Sequence, residues 1–201
     1  SIRRGQQAGG PFNRSFANHK RAVIEHLKAR FAPLPGLENT SILPVFHGCT
    51  HAAADGICAT GFASISTLDA GYFGRGMYVS TYAQYACEYA TGALGNTPHP
   101  PDPATGEHVV LLAWAAPGLA YPITRGGADG DYEAGASHSR FHAAQGEQAK
   151  SLKAPFDSHY VCIRRADYQS VEDGACPDYD ELVLGEASQL LPVYKCFFRA
   201  A

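Results

Sequence analysis

Apolar residues recur at helical spacing near the amino end and give way to short apolar runs beyond it. In "RSFANHKRAVIEHLKARF", Val23, Ile24, Leu27 and Phe31 fall on one side, and Lys20, Arg21, Glu25 and Lys28 fall mostly elsewhere. The spacing predicts an amphipathic helix from Asn13 or Ser15, ended by "APLPG". "SILPVFHG" reads as a short strand delivering His47 at its end. "HAAADGICATGF" reads as a helix stopped by Gly61. "GRGMYVST" is a Gly-punctuated approach to a strand or turn, and "YAQYACEYA" suits a helix.

The stretch from Thr91 to His108 is turn-forming throughout and predicts a surface loop. "VVLLAWAAP" (Val109 to Pro117) is apolar on both faces, as a buried central strand should be. Residues 124–155, rich in Gly, Ala and polar types, predict loop with one short helix. The remainder predicts strand ("SHYVCIRR"), loop ("ADYQSVEDGACPDY"), strand and strand ("DELVLGEASQLLPVYKCFFRA"). There is no internal repeat and no boundary. The expectation is α+β: a flexible lead-in over 1–12 and a single domain over 13–201.

Composition narrows this. A chain of 201 residues suffices for one domain with a sizeable core, and 45% hydrophobic content argues for a folded protein. No run reaches the length of a membrane span, so no membrane partner is expected. The net charge of −3 lacks the basic balance of a dedicated nucleic-acid binder. The six cysteines (Cys49, Cys58, Cys87, Cys162, Cys176 and Cys196) include no C-x-x-C pair. That is poor zinc spacing, and free thiols in a reducing, cytosol-like compartment are the expectation, with disulfides left open. His138 and His142 are four apart without an obvious third ligand, so no metal is expected. "GYFGRG" is not a dinucleotide fingerprint, since it lacks the G-x-G-x-x-G pattern.

Taken singly, His47, Tyr78 and Glu181 have ordinary readings: a satisfied strand-end histidine, a buried phenol and a strand-start carboxylate. Their order and setting say more. "FHGCT", "GYFGRGMYVSTYAQYACEYA" and "DELVLGEASQLLPVYKCFF" occur in sequence over about Val45 to Phe198. Together they resemble the catalytic domain of the poly(ADP-ribose) polymerase-like ADP-ribosyltransferases, which carry a His-Tyr-Glu triad on three β-segments. His47-Gly48 matches the first motif, Gly74-Arg75-Gly76-Met77-Tyr78-Val79 the second, and Glu181-Leu182-Val183-Leu184 followed by "SQLLPVY" the third.

The resemblance implies the ADP-ribosyltransferase fold, two packed β-sheets around an NAD cleft with flanking helices, and NAD as co-substrate. Glu181 would accept a hydrogen bond from the nicotinamide-ribose 2′-hydroxyl and stabilise the oxocarbenium-like transition state. His47 would bond the adenosine-side ribose. The Gly48 backbone would pair with the carboxamide, and Tyr78 and Tyr89 would pack on the nicotinamide. Two positions depart from the family. Ala86 stands where many members carry a carboxamide-binding serine, so either Thr50 or Ser80 supplies that hydroxyl or the nicotinamide grip is looser, and Cys49 replaces the small hydroxyl residue after His-Gly.

The expected reaction is transfer of a single ADP-ribose unit to a macromolecule with release of nicotinamide. The segment before Glu181 should face the acceptor, with Tyr179 the residue to test first. Its acidic side chains (Asp167, Glu172, Asp173, Asp178 and Asp180) outnumber Arg164 and Arg165, which favours a protein acceptor over RNA or DNA. An NAD glycohydrolase and a non-catalytic NAD or ADP-ribose binding module are the rivals. The Ser1 start and the Gly- and Gln-rich lead-in fit a domain of a larger effector, toxin or multidomain enzyme, delivered from outside and held by an inhibitory partner if a toxin.

Overall fold

The structure is a computed structural model describing residues 18–31, 42–62, 71–94, 99–126, 130–144, 147–171 and 175–200. It is α+β, with two sheets and few helices. Helix α1 (Asn18–Arg30) precedes β1 (Leu43–Cys49), α2 (His51–Thr60), β2 (Met77–Val79) and α3 (Ala83–Ala90). Strands β3 (His108–Ala115), β4 (Ala120–Ile123), β5 (Ser158–Arg164), β6 (Gln169–Ser170), β7 (Tyr179–Leu184) and β8 (Leu190–Phe198) complete it. The lead-in over 1–12 and the expected start of the first helix lie outside the described residues. Among those described, no helix is long and apolar enough to cross a membrane.

The first sheet has the order β1-β3-β8, antiparallel throughout. The second has the order β2-β7-β5-β4, with β6 pairing β5; only β4 runs parallel to its neighbour. One apolar core lies between them. Leu43, Val45, Leu111 and Ala113 of the first sheet meet Met77, Val79, Leu182 and Leu184 of the second. Val23, Ile24 and Leu27 of α1 join this core, each contributing roughly 1.5–3 kcal/mol by burial. A second cluster covers the other face of the second sheet. It holds Phe73, Tyr85, Tyr121, Phe141, Val161, Tyr179 and Val183. With both faces covered, every residue of β7 is buried, including its two carboxylates, Asp180 and Glu181.

Local chemistry sets the element ends. Thr50 caps α2, its Oγ1 accepting from the Ala53 N–H, and Gly61 ends the helix at φ 83°, where glycine alone is unstrained. Two expectations need correction. Lys20, assigned to the polar side of the first helix, is buried at 1% exposure. Its ammonium is held by Asp131 at 2.6 Å, the Tyr121 hydroxyl at 2.9 Å and the Pro122 carbonyl at 3.1 Å, so the charge is paired and its hydrogens are used. The short helix expected within 124–155 is absent from the described residues there. They form turns, pinned where Asp131 also accepts from the Thr124 N–H and the Tyr121 hydroxyl.

Candidate active site at the seam of the two sheets

Among the described residues one isolated β-bridge joins the two sheets, where Phe46 and Ser80 exchange backbone hydrogen bonds of 2.7 and 3.0 Å. His47 follows Phe46 on β1, and Tyr78 precedes Ser80 by two residues on β2. The bridge therefore brings two segments 31 residues apart in sequence side by side, and His47 Nδ1 lies 2.9 Å from the Tyr78 carbonyl oxygen. A carbonyl only accepts, so Nδ1 carries the proton and Nε2 of the neutral ring is an acceptor. Burial lowers the His47 pKa, with the bond to the Tyr78 carbonyl opposing, which keeps the ring neutral near pH 7. Phe62 packs edge-on against the imidazole, with centroids 5.4 Å apart.

Strand β2 then pairs with β7, Tyr78 opposite Val183 and Val79 opposite Leu182. The alternation along β7 sends neighbouring carboxylates to opposite faces. Asp180 accepts from the Ser80 hydroxyl (2.9 Å), the Thr81 N–H (2.8 Å), the Thr81 hydroxyl (2.5 Å) and the Tyr160 hydroxyl (2.8 Å). It fastens β7 to the turn after β2 and to β5. Glu181 faces the tyrosines of α3. Its Oε1 accepts from Tyr85 at 2.5 Å and Tyr89 at 3.2 Å, while its buried Oε2 has no hydrogen-bond partner. Desolvation raises its pKa from 4.5 to about 7, with the two phenols pulling down and Asp180 pushing up.

The second motif has a local task as well. The Tyr78 hydroxyl donates to the Gly74 carbonyl at 2.6 Å and accepts from the Phe73 N–H at 2.9 Å, so the phenol holds the turn of its own motif. The missing side chain of Gly48 serves helix packing. A Cβ there would lie 1.9 Å from the Ala86 carbonyl oxygen and 2.8 Å from Tyr89 Cβ. That contact is with backbone and cannot swing aside. Gly48→Ala is expected to cost about 3 kcal/mol in denaturant unfolding and to push α3, with Tyr85 and Tyr89, off Glu181.

Of the expected residues, His47, Gly48, Tyr78, Tyr89 and Glu181 cluster around this seam. Thr50 is exposed with its oxygen capping α2. Ser80 is buried with its hydroxyl committed to Asp180 and accepting from the Tyr82 N–H, which removes it as a stand-in for the missing serine. Tyr179, expected within a loop, lies in a strand. It opens β7 at 4% exposure, stacked on Tyr85 with centroids 4.8 Å apart, and its hydroxyl donates to Glu88 at 2.8 Å. Glu88 also takes the Tyr168 hydroxyl and Arg165, and so draws the segment before β7 against α3.

Tyr85 and Asp180 escaped the motif reading. The spacing of Tyr85 and Tyr89, four apart on a helix that follows the Tyr78 motif, was the available signal for Tyr85. All six cysteines are free thiols. His138 and His142 stack face to face at 4.1 Å beside Tyr72, and no three His, Cys, Asp or Glu side chains converge among the described residues. What the seam assembles is a neutral imidazole acceptor, a fixed phenol and a desolvated carboxylate with one oxygen to spare. Neither a scan against protein-family models nor a search of the curated proteins returns a match for this chain.

Proposed function

We propose that this chain is an ADP-ribosyltransferase catalytic domain of the poly(ADP-ribose) polymerase-like, His-Tyr-Glu class. It takes NAD as co-substrate and transfers one ADP-ribose unit to a macromolecule. The observation that carries this reading is Glu181, buried at 4% exposure with Oε2 unpartnered. A buried carboxylate oxygen without a donor is costly, and a ribose hydroxyl supplies the donor. His47, held with Nε2 as the acceptor by its bond to the Tyr78 carbonyl, suits a second ribose hydroxyl. The two sheets sharing a core, joined beside these residues, fit the split-sheet fold of that class.

In the reaction the bond from ribose C1′ to the nicotinamide nitrogen breaks. Its electron pair leaves with the ring as neutral nicotinamide, and positive charge grows on C1′ and the ring oxygen. The Glu181 carboxylate stabilises that charge through the 2′-hydroxyl. The acceptor then bonds to C1′ and gives up its proton. Only ionised Glu181 serves, so the rate is expected to rise with pH through about 7.

The test is NAD labelled in the adenylate, incubated with the protein and a cell lysate, then digested separately with protease and nuclease. Nicotinamide release with protease-sensitive label is the expected result. Nuclease-sensitive label reassigns the acceptor to RNA or DNA. Release without macromolecular label makes the protein an NAD glycohydrolase, and no release overturns the catalytic reading in favour of a binding module.

A further inference from the structure

Glu181 Oε1 is occupied by two phenols from one helix, and the two are unequal. Tyr85 is 1% exposed and 2.5 Å away; Tyr89 is half-buried and 3.2 Å away. Charge-assisted O–H···O⁻ bonds fall at about 2.5–2.7 Å, so the Tyr85 contact is the strong one. The Tyr85 ring is itself immobilised. Tyr179 stacks on it at 4.8 Å, Tyr168 lies parallel at 5.9 Å, and Tyr89 sits edge-on at 5.2 Å. Glu88, three residues along α3, holds the hydroxyls of both Tyr179 and Tyr168. The phenol that meets Glu181 is thus fixed in place by its neighbours' rings and, through them, by a second carboxylate.

We infer that Tyr85 is the positioning residue for Glu181, holding Oε1 so that Oε2 is presented to the ribose hydroxyl and the carboxylate is kept in its ionised form; this rests on the function proposed above. A carboxylate in an apolar site tends to take up a proton, and a protonated Glu181 cannot stabilise a cation. The groups around it show what opposes that. On α3, Tyr85 and Tyr89 donate to it. On its own strand, Asp180 carries like charge on the other face and pushes its pKa up. Across on β5, its partner Val161 is apolar. Burial raises the pKa of the Tyr132 phenol, on the segment 130–144, and the Glu181 charge adds to it. Among the described residues, the two α3 phenols favour the charged form of Glu181, and Tyr85 is the nearer.

Tyr85→Phe keeps the ring stack and removes the donor. The acid limb of kcat/KM for nicotinamide release is expected to move up by about 1–2 pH units. The rate then falls roughly 5- to 50-fold at pH 7 and returns to within about threefold of wild type at pH 9. A merely structural role would lower the rate equally at every pH, and that result, or an unmoved acid limb, overturns the inference.

A second measurement does not depend on catalysis. With the Glu181 carboxyl carbon labelled with carbon-13, its titration without NAD should show a higher midpoint in Tyr85→Phe than in wild type; equal midpoints overturn the inference. If wild type releases no nicotinamide at any pH, the proposed function fails, and this titration still decides the role of Tyr85. Should Tyr85→Phe fail to fold, 3-fluorotyrosine placed at position 85, a stronger donor of nearly the same shape, should lower the midpoint. An unchanged midpoint there overturns the inference too.

Discussion

Glu181→Gln is expected to abolish nicotinamide release, by about 10²–10³-fold or more, while making the protein more stable at pH 8. Under the proposed function, the loss follows from replacing the negative charge that stabilises the growing cation with a neutral amide. The gain in stability follows from burial. In the folded chain the Glu181 pKa stands at about 7 against 4.5 for the ordinary group. Between those values the folded state binds more protons than the unfolded state, so stability falls as pH rises from about 4.5 to about 7. Above pH 7 the penalty is complete, and the glutamine variant, which cannot ionise, escapes it. The expected gain is on the order of 1–3 kcal/mol at pH 8 and close to nothing at pH 4. Thermal melts of both proteins across pH would show curves that meet in acid and part in base. Full activity in the variant would remove Glu181 from the reaction, and parallel melting curves would remove the burial argument.

The adjacent carboxylate is expected to behave in the opposite way. Asp180→Ala should cost about 3–5 kcal/mol, enough to threaten a domain of marginal stability. Asp180 is 0% exposed and accepts four hydrogen bonds, from Ser80, Thr81 (twice) and Tyr160. Alanine leaves those donors buried without an acceptor, each costing about 1–3 kcal/mol before relaxation. Asp180→Asn keeps one acceptor oxygen and should cost about half as much. Denaturant titrations that compare midpoints at unchanged slope measure both. If Asp180→Ala melted like wild type, the network would not be what holds β7 to β2. Two neighbours on one strand thus divide the labour: Asp180 stabilises the seam, and Glu181 gives up stability for its place in it.

How much of this was legible in the chain depends on the range of the interaction involved. The period-3.6 pattern of Val23, Ile24 and Leu27 gave the first helix and its buried side, because local spacing dictates which side chains share a face. The continuous apolar run after His108 gave a strand covered on both sides. Gly61 marked the end of α2 by local capping chemistry. Lys20 was misjudged, because a lysine is buried only when partners far along the chain meet it, and Asp131 lies 111 residues away. The placement of Tyr179 in a strand was missed for a similar reason. Nothing local shows that Tyr85 and Glu88 lie across from it on α3.

By itself, the order of residues determined most of the elements, since periodicity and turn chemistry act over a few residues; the choice of the β1 imidazole, the β2 phenol and the β7 carboxylate came from the resemblance of three motifs. The tertiary structure alone decided how those groups are poised. The Phe46–Ser80 bridge orients the His47 ring through the Tyr78 carbonyl, and the burial of β7 lifts the Glu181 pKa. Tyr85 meets that carboxylate from 96 residues away. Desolvation and hydrogen-bond geometry belong to the packed chain, because they depend on which distant atoms exclude water and which arrive within three ångströms.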